Sequence, residues 1–235
     1  MNLKNAYWYF TSRLGDRFCD DLIKHANSKK ELIGVTGGVS AKVKKRNKNK
    51  EIIDHADVQK NLKKSDIKNL KKQRDSNIVW LEDKWIYDEI IPFFHMANRN
   101  AGWNFQIDHF ESMQFTKYKP GQFYDWHQDP MPVPYDNPTN SNFHGKVRKI
   151  SGIIQLSDPK DYKGGDLEIQ PRMHVDPAHT IQTKKHFKPR GSIIIFPSHL
   201  CHRFKPETKA TCQSKIHFKH LYIFNRLCII LKCLN

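Results

Sequence analysis

Within Phe123-Tyr124-Asp125-Trp126-His127-Gln128-Asp129-Pro130 a histidine and an aspartate stand two residues apart. The aromatic residues ahead of them read as a β-strand, whose side chains alternate between faces, so His127 and Asp129 share one face. An imidazole and a carboxylate in that relation supply two of the three protein ligands of a facial triad for non-haem Fe(II). A distant histidine would complete the set and leave three coordination positions open. Gly191-Ser192-Ile193-Ile194-Ile195-Phe196-Pro197 is a short apolar run bounded by Gly and Pro, as expected of a fully buried strand. Ser198-His199-Leu200-Cys201-His202 follows it directly. We take His202 as the third ligand, with His199 as its near rival. A chain with 13 histidines produces His-x-Asp pairs by chance, so satisfied core or surface histidines are the alternative. The order of the pieces carries the metal reading.

The elements that must position these residues divide the chain in two. Residues 6–10 are strand-like, and Asp16 is placed to cap a helix to about Ala26, with Phe18, Leu22 and Ile23 on one face. Gly34-Val35-Thr36-Gly37-Gly38 is expected to break regular structure. A short helix is expected over Ser65–Lys72 and a strand over 74–81. An amphipathic helix is expected over Trp85–Asn98, with Pro92 imposing a kink or a restart. From Trp103 onward, short strands alternate with turns. They include Phe105–Tyr118 as one strand or two, Lys149–Leu156, and Leu167-Glu168-Ile169 after the Gly164-Gly165 turn. Residues 130–145, rich in Pro and Asn, are placed as a loop able to cover a site. The fold class expected is α+β with a mainly β core, a β-sandwich or jelly roll with helices on one sheet.

Length and composition bound the reading. The chain's 235 residues fit one domain with a helical elaboration. No run of 18 apolar residues indicates a membrane span, and the first residues lack the pattern of a signal peptide. Five cysteines without paired spacing fit a reducing compartment, so a cytoplasmic location is expected. The formal charge of +16 directs attention to acidic partners. Eleven Lys and two Arg fall between Lys42 and Arg74, without the interleaved aromatics that stack on bases. That segment reads as a solvated basic insertion, with a phosphate-contacting surface for nucleic acid as the second reading.

The segment Gln114–Lys209 resembles the 2-oxoglutarate- and Fe(II)-dependent dioxygenases of the prolyl 4-hydroxylase type. The matching residues are Gln114-Phe115-Thr116-Lys117-Tyr118, Gly121-Gln122-Phe123-Tyr124, His127-Gln128-Asp129 and Arg148-Lys149-Ile150-Ser151. They continue through Gln155-Leu156-Ser157-Asp158, Gly164-Gly165-Asp166-Leu167, Phe196-Pro197-Ser198, His202-Arg203 and Pro206. Upstream, Arg74–Leu81 and Asn98–Phe105 also resemble the family's N-terminal half. The ordered set is specific where no single piece is. It implies a double-stranded β-helix (jelly roll) over 105–220, supported by residues 1–104 with the basic insertion 42–74, and followed by an atypical apolar tail, 221–235. It also implies iron on His127, Asp129 and His202, with 2-oxoglutarate and O2 as co-substrates and ascorbate as reductant. The implied reaction converts 2-oxoglutarate to succinate and CO2 while hydroxylating an unactivated C–H bond, with a peptide or protein, and peptidyl proline in particular, as substrate.

Tyr118, Tyr124 and Gln155 match pocket positions of the family, Tyr118 as hydrogen-bond donor to the distal carboxylate of 2-oxoglutarate. Each has a plainer alternative, barrel-filling aromatics for the tyrosines and a solvent-facing amide for Gln155. Asp125, Trp126 and Gln128 are placed away from the metal. The family's usual cation, about ten residues after the distal His, is replaced by Cys212. Lys215, Lys209 and Arg203 are the cations near it, and Lys215 is favoured if a bulge re-aims it. Beyond Cys212 the family's closing strand is not recognisable. Two other readings stand beside the dioxygenase: a nucleic-acid-directed oxygenase on the same barrel, and a non-catalytic metal-binding barrel. Nothing in the sequence addresses the oligomeric state.

Overall fold

Apolar side chains alternating along three strands build a sheet with two different faces, and the rest of the molecule is layered around that sheet. The computed structural model describes residues 5–47, 55–129, 134–136, 138–170, 181–182, 187–210 and 213–223, with 181–182, 209–210 and 213–223 as backbone alone. In chain order the elements are β1 (Trp8–Phe10), α1 (Asp16–Asn27), β2 (Leu32–Ile33), α2 (Gly37–Arg46), α3 (His55–Lys60) and α4 (Lys64–Leu70). Next come β3 (Arg74–Asp75), β4 (Asn77–Leu81), α5 (Lys84–Asn100), β5 (His109–Phe110), β6 (Met113–Tyr118) and β7 (Phe123–His127). They are followed by β8 (Lys146–Gln155), β9 (Tyr162–Gly164), β10 (Leu167–Gln170) and β11 (Ile181–Gln182). The last are β12 (Ile193–Pro197), β13 (Cys201–Phe204), β14 (Glu207–Ala210) and β15 (Gln213–Ile223).

The large sheet runs β1-β12-β8-β15-β6-β4-β2, with β5 added alongside β15, and the small sheet runs β11-β10-β13-β7-β3. A separate ribbon pairs β14 with β9, and every ladder is antiparallel. On the outer face of the large sheet, Phe115, Ile150, Ile154, Ile193 and Ile195 pack against Leu22 of α1 and Ile86, Ile90 and Phe94 of α5. On its inner face, Tyr118, Ile153, Ile194 and Phe196 meet Leu167, Ile169 and Phe204 of the small sheet. Gly152 belongs to this close packing, since a Cβ there would lie 2.3 Å from the ring of Phe94. The fold is thus mostly sheet, with α1 and α5 packed on the outer face of the large sheet.

Several local expectations change. Asp16 is the first residue of α1 and Gly15 occupies the N-cap position, where no side chain caps the helix. The 74–81 strand is two strands in different sheets: β3 pairs with β7, and β4 pairs with β6. Pro92 lies within a single continuous α5, because the apolar stripe Ile86, Ile90, Phe94 and Ala97 on the sheet outweighs one missing backbone bond. Residues 34–38 do not all break structure, since α2 begins at Gly37. The described part of the basic segment is folded. Val43, Val58 and Leu70 are buried, and the buried Asp66 carboxylate is met by Arg46 at 2.9 Å and Lys42 at 3.4 Å. That pairing, with the Lys63 backbone N–H foremost, holds the Asp66 carboxyl below its ordinary range.

The absence of a closing strand is also corrected. Residues Gln213–Ile223 form β15 between β6 and β8, pairing with both. Strand pairing uses backbone groups that any residue but proline supplies, so a segment with an unfamiliar side-chain pattern can fill the gap between two unpaired edges. Cys212 and residues 224–235 lie outside the described residues. No described helix is long and apolar enough to cross a membrane.

Candidate metal centre and its surroundings

Two neighbouring strands of the small sheet bring the histidines together. His127 on β7 and His202 on β13 are direct cross-strand partners, with ring centroids 4.1 Å apart. Residues opposite each other in an antiparallel ladder present side chains on the same face. Two turns of sequence logic, separated by some 75 positions in the chain, therefore converge through one register pairing. Asp129 lies just past the end of β7, where its N–H donates to the Ser198 carbonyl at 3.1 Å. His127 Nε2 and Asp129 Oδ1 are 4.0 Å apart, and His202 Nε2 and Asp129 Oδ2 are 3.8 Å apart. Two ligand bonds of roughly 2.1 Å span at most about 4.2 Å, so one cation can reach all three residues. His127, Asp129 and His202 form the group of potential metal ligands found among the described residues.

Hydrogen bonds around the three side chains fix which atoms are offered. His127 Nδ1 is 2.8 Å from the Asp125 carbonyl and His202 Nδ1 is 3.0 Å from the Leu200 carbonyl. An N–H at each Nδ1 donates to those carbonyls and leaves the Nε2 lone pairs for a metal. Ser151 Oγ donates to Asp129 Oδ2 at 2.6 Å and lies 2.8 Å from Ser198 Oγ. Arg148 Nη1 donates to the Asp129 carbonyl at 2.9 Å, while Glu111 clamps the same guanidinium at 2.5 and 2.7 Å. Burial alone would lower the Arg148 pKa, but the Glu111 carboxylate more than reverses this and raises it. His202 and Asp129 are buried, and the Phe196 ring packs 4.8 Å from that of His202. The donor set and its supports fit a divalent iron with three open positions.

A bulge between the His202–His127 and Phe204–Tyr124 pairs gives β7 one extra residue relative to β13. Strict alternation would send Tyr124 and His127 to opposite faces, whereas the bulge stacks them, with centroids 3.5 Å apart and planes at 10°. Asp125 is exposed, and the Arg203 guanidinium sits 4.6 Å over the half-buried Trp126 ring. Gln128 is exposed and donates to the His199 carbonyl, and His199 is itself exposed, away from the metal ligands.

The residues matched to the co-substrate pocket are distributed as follows. Tyr118 is buried on the inner face, its ring 5.5 Å from Phe204, and burial pushes its phenol above the ordinary range against the opposing charge of Arg74. Burial likewise raises the Tyr124 phenol against Arg74. Gln155 is fully buried, not solvent-facing, and its amide donates to the Ser157 carbonyl at 3.0 Å. Lys215 stands in β15 opposite both Thr116 and Gln155. Arg203 is engaged elsewhere, donating to Glu168 at 2.8 Å. The sequence reading assigned no role to Ser151, Ser198, Arg148 or Glu111; the signal available for the two serines was a small polar residue within or beside an apolar strand.

Comparison with known proteins agrees with this geometry. Residues 113–220 match the 2OG-Fe(II) oxygenase superfamily, and the stretch carries a domain of that kind. Among curated proteins, a PKHD-type hydroxylase of Pseudoalteromonas atlantica is 32% identical over 99 residues, 41% of this chain and 37% of that protein. Another, from Sphingopyxis alaskensis, is 33% identical over 96 residues, 40% of this chain and 37% of its own. The chain thus spans well under half the length of the curated relatives it matches. Among solved structures, a viral collagen prolyl hydroxylase of Paramecium Bursaria Chlorella virus-1, in a 2OG complex, superposes with a TM-score of 0.57 at 16% identity. That match covers 93% of this chain and 97% of the other. A Pseudomonas putida prolyl-4-hydroxylase gives a TM-score of 0.56 at 13% identity, covering 92% of each. The resemblance to prolyl 4-hydroxylase-type oxygenases is borne out, and the shared fold is that of these enzymes.

Proposed function

We propose that the chain is a 2-oxoglutarate- and Fe(II)-dependent dioxygenase that hydroxylates an unactivated C–H bond of a peptide, with peptidyl proline as the substrate class. The observation that carries the reading is the convergence of His127, Asp129 and His202, with both Nδ1 atoms satisfied and Asp129 anchored by Ser151. The facing antiparallel sheets are read as the halves of a double-stranded β-helix with its core in 105–220. Residues 1–104 complete both sheets and add the helical layer, and β15 carries the core on to Ile223, past the boundary at 220 expected from the sequence. Iron bound there, with 2-oxoglutarate and O2, supplies oxidative decarboxylation to succinate and CO2 coupled to C–H hydroxylation, and ascorbate serves as reductant.

The chain's own residues hold and shield that chemistry. His127 and His202 present neutral Nε2 atoms, and Asp129 supplies the charge that matches a divalent cation. Ser151 and Arg148 keep Asp129 in place, acting as positioning residues through its carboxylate and its carbonyl. Phe196, Leu200 and Phe204 exclude water from the inner face. Tyr118, Tyr124 and Gln155 line the co-substrate end, and Lys215, level with Thr116 and Gln155 in the register, is the cation nominated from the sequence. The test is succinate release from 2-oxoglutarate by the Fe(II)-loaded chain with proline-containing peptides, against a His202→Ala control. Turnover no greater than that of the control across the peptide set overturns the reading.

A further inference from the structure

A buried arginine on the inner side of the small sheet is the feature that the metal centre leaves unexplained. Arg74 opens β3, directly opposite Tyr124 of β7, and is 3% exposed. Its Nε donates to Ser76 Oγ at 2.8 Å, Nη1 to the Val35 carbonyl at 3.4 Å, and Nη2 to Gln114 Oε1 at 2.5 Å. The guanidinium lies 4.5 Å from the centroid of the Tyr124 ring. Among the described residues none of these partners is a carboxylate. A full positive charge taken out of water and met only by neutral groups is costly, and an arriving carboxylate offsets that cost.

The surroundings are shaped for this arginine. A Cβ at Gly34 would lie 2.3 Å from Ser76 Oγ and 2.7 Å from Arg74 Nε, so only glycine leaves room for the pair. The charge lies on the inner side of the sheets, over the Tyr124 ring and hydrogen-bonded to Gln114 of β6. It is also close to the metal ligands, because the Tyr124 ring that it covers is stacked on His127 at 3.5 Å. Across the Tyr124 ring the guanidinium is no more than about 8 Å from the His127 ring, a span that a five-carbon diacid, its carboxylates about 5 Å apart by ordinary bond lengths, can bridge with one end at the metal. Gln114, now accepting from Nη2, carries an NH2 that can donate to the same carboxylate when the amide turns.

We infer that Arg74, reaching in from the small sheet, binds the distal carboxylate of 2-oxoglutarate and takes the part left open by Cys212. The inference rests on the proposed function and names the residue that makes the site selective for a diacid. Arginine suits the role because its planar fork meets a carboxylate with two parallel hydrogen bonds. Lys215 on the facing sheet is the competing assignment, and the experiment separates the two.

Calorimetric titration of the Fe(II)-loaded full chain without O2 compares 2-oxoglutarate with 2-oxopentanoate, which lacks the distal carboxylate. The native chain is expected to prefer 2-oxoglutarate by about tenfold or more, as a charge-assisted pair implies. Arg74→Gln is expected to lose about 10- to 100-fold in 2-oxoglutarate affinity, while its 2-oxopentanoate affinity changes less than about twofold. Arg74→Lys, which keeps the charge but not the fork, is expected to fall between them and serves if the glutamine variant fails to hold iron. Retention of the full preference in the Arg74 variants overturns the inference, as does its loss in Lys215→Gln alone. A native chain that holds iron yet binds neither keto acid removes the proposed function and this inference together. Unchanged selectivity in the Arg74 variants removes only the inference.

Discussion

On β8, Ile150 and Ile154 face the helices and are fully buried, whereas Ser151 and Gln155, each one residue further along, face the small sheet. β6 repeats the contrast, with Met113 and Phe115 outward, and Gln114, Thr116 and Tyr118 inward. One set of strands therefore presents a dry apolar face and a face that carries buried polar side chains, among them Ser151 bonded to Asp129 and Gln114 bonded to Arg74. Apolar burial is non-directional and stabilises wherever it occurs. Buried polar groups persist only with partners in good geometry, so the inner face is specified atom by atom. The outer face holds the fold together, and the inner face holds a constellation in place.

Asp129→Ala breaks the contrast most completely from the inner side. Metal analysis of the purified variant is expected to show iron falling from near stoichiometric to near zero, with the metal-free stability changed by no more than about 1 kcal/mol. Retained stoichiometric iron would remove Asp129 from the ligand set. Phe94→Ala acts from the outer side. Its ring is fully buried against Gly152 and Phe110, so chemical denaturation should show a loss of about 3–5 kcal/mol while iron content at low temperature stays native. A variant that keeps its stability but loses iron would show that the two faces are not separate. Ser151→Ala is the smallest and sharpest change. Competition with a chelator should reveal about 10- to 100-fold weaker iron binding, with stability within about 1 kcal/mol of native. Unaltered metal affinity would mean that Arg148 and the Ser198 carbonyl alone hold Asp129.

The small sheet adds a further lesson about strands as carriers of function. A lone period-two rule predicts that His127 and Asp129 share a face, and they do converge, but the same rule sends Tyr124 to the other side. The bulge in β7 reverses that and stacks Tyr124 on His127. A bulge inserts one residue against an unbroken partner strand, and nothing local in Tyr124-Asp125-Trp126 announces it. Likewise, Arg74 appeared within a matching segment without a role, because its burial and its position opposite Tyr124 depend on 74–75 joining one sheet while 77–81 joins the other.

What the sequence determined by itself is the inventory of local chemistry: the His-x-Asp pair, the buried Ile-Ile-Ile-Phe strand with His202 just beyond it, the apolar stripe of α5, and the ordered resemblance to an oxygenase family. These are legible because residue type, spacing and period are properties of neighbouring residues. Tertiary structure alone decided the register that faces His202 with His127, the serines that hold Asp129, the path of β15 between β6 and β8, and the enclosure of Arg74. Each depends on contacts between residues far apart in the chain, where backbone pairing and the cost of unmatched buried polar groups select one arrangement from many that the local pattern permits.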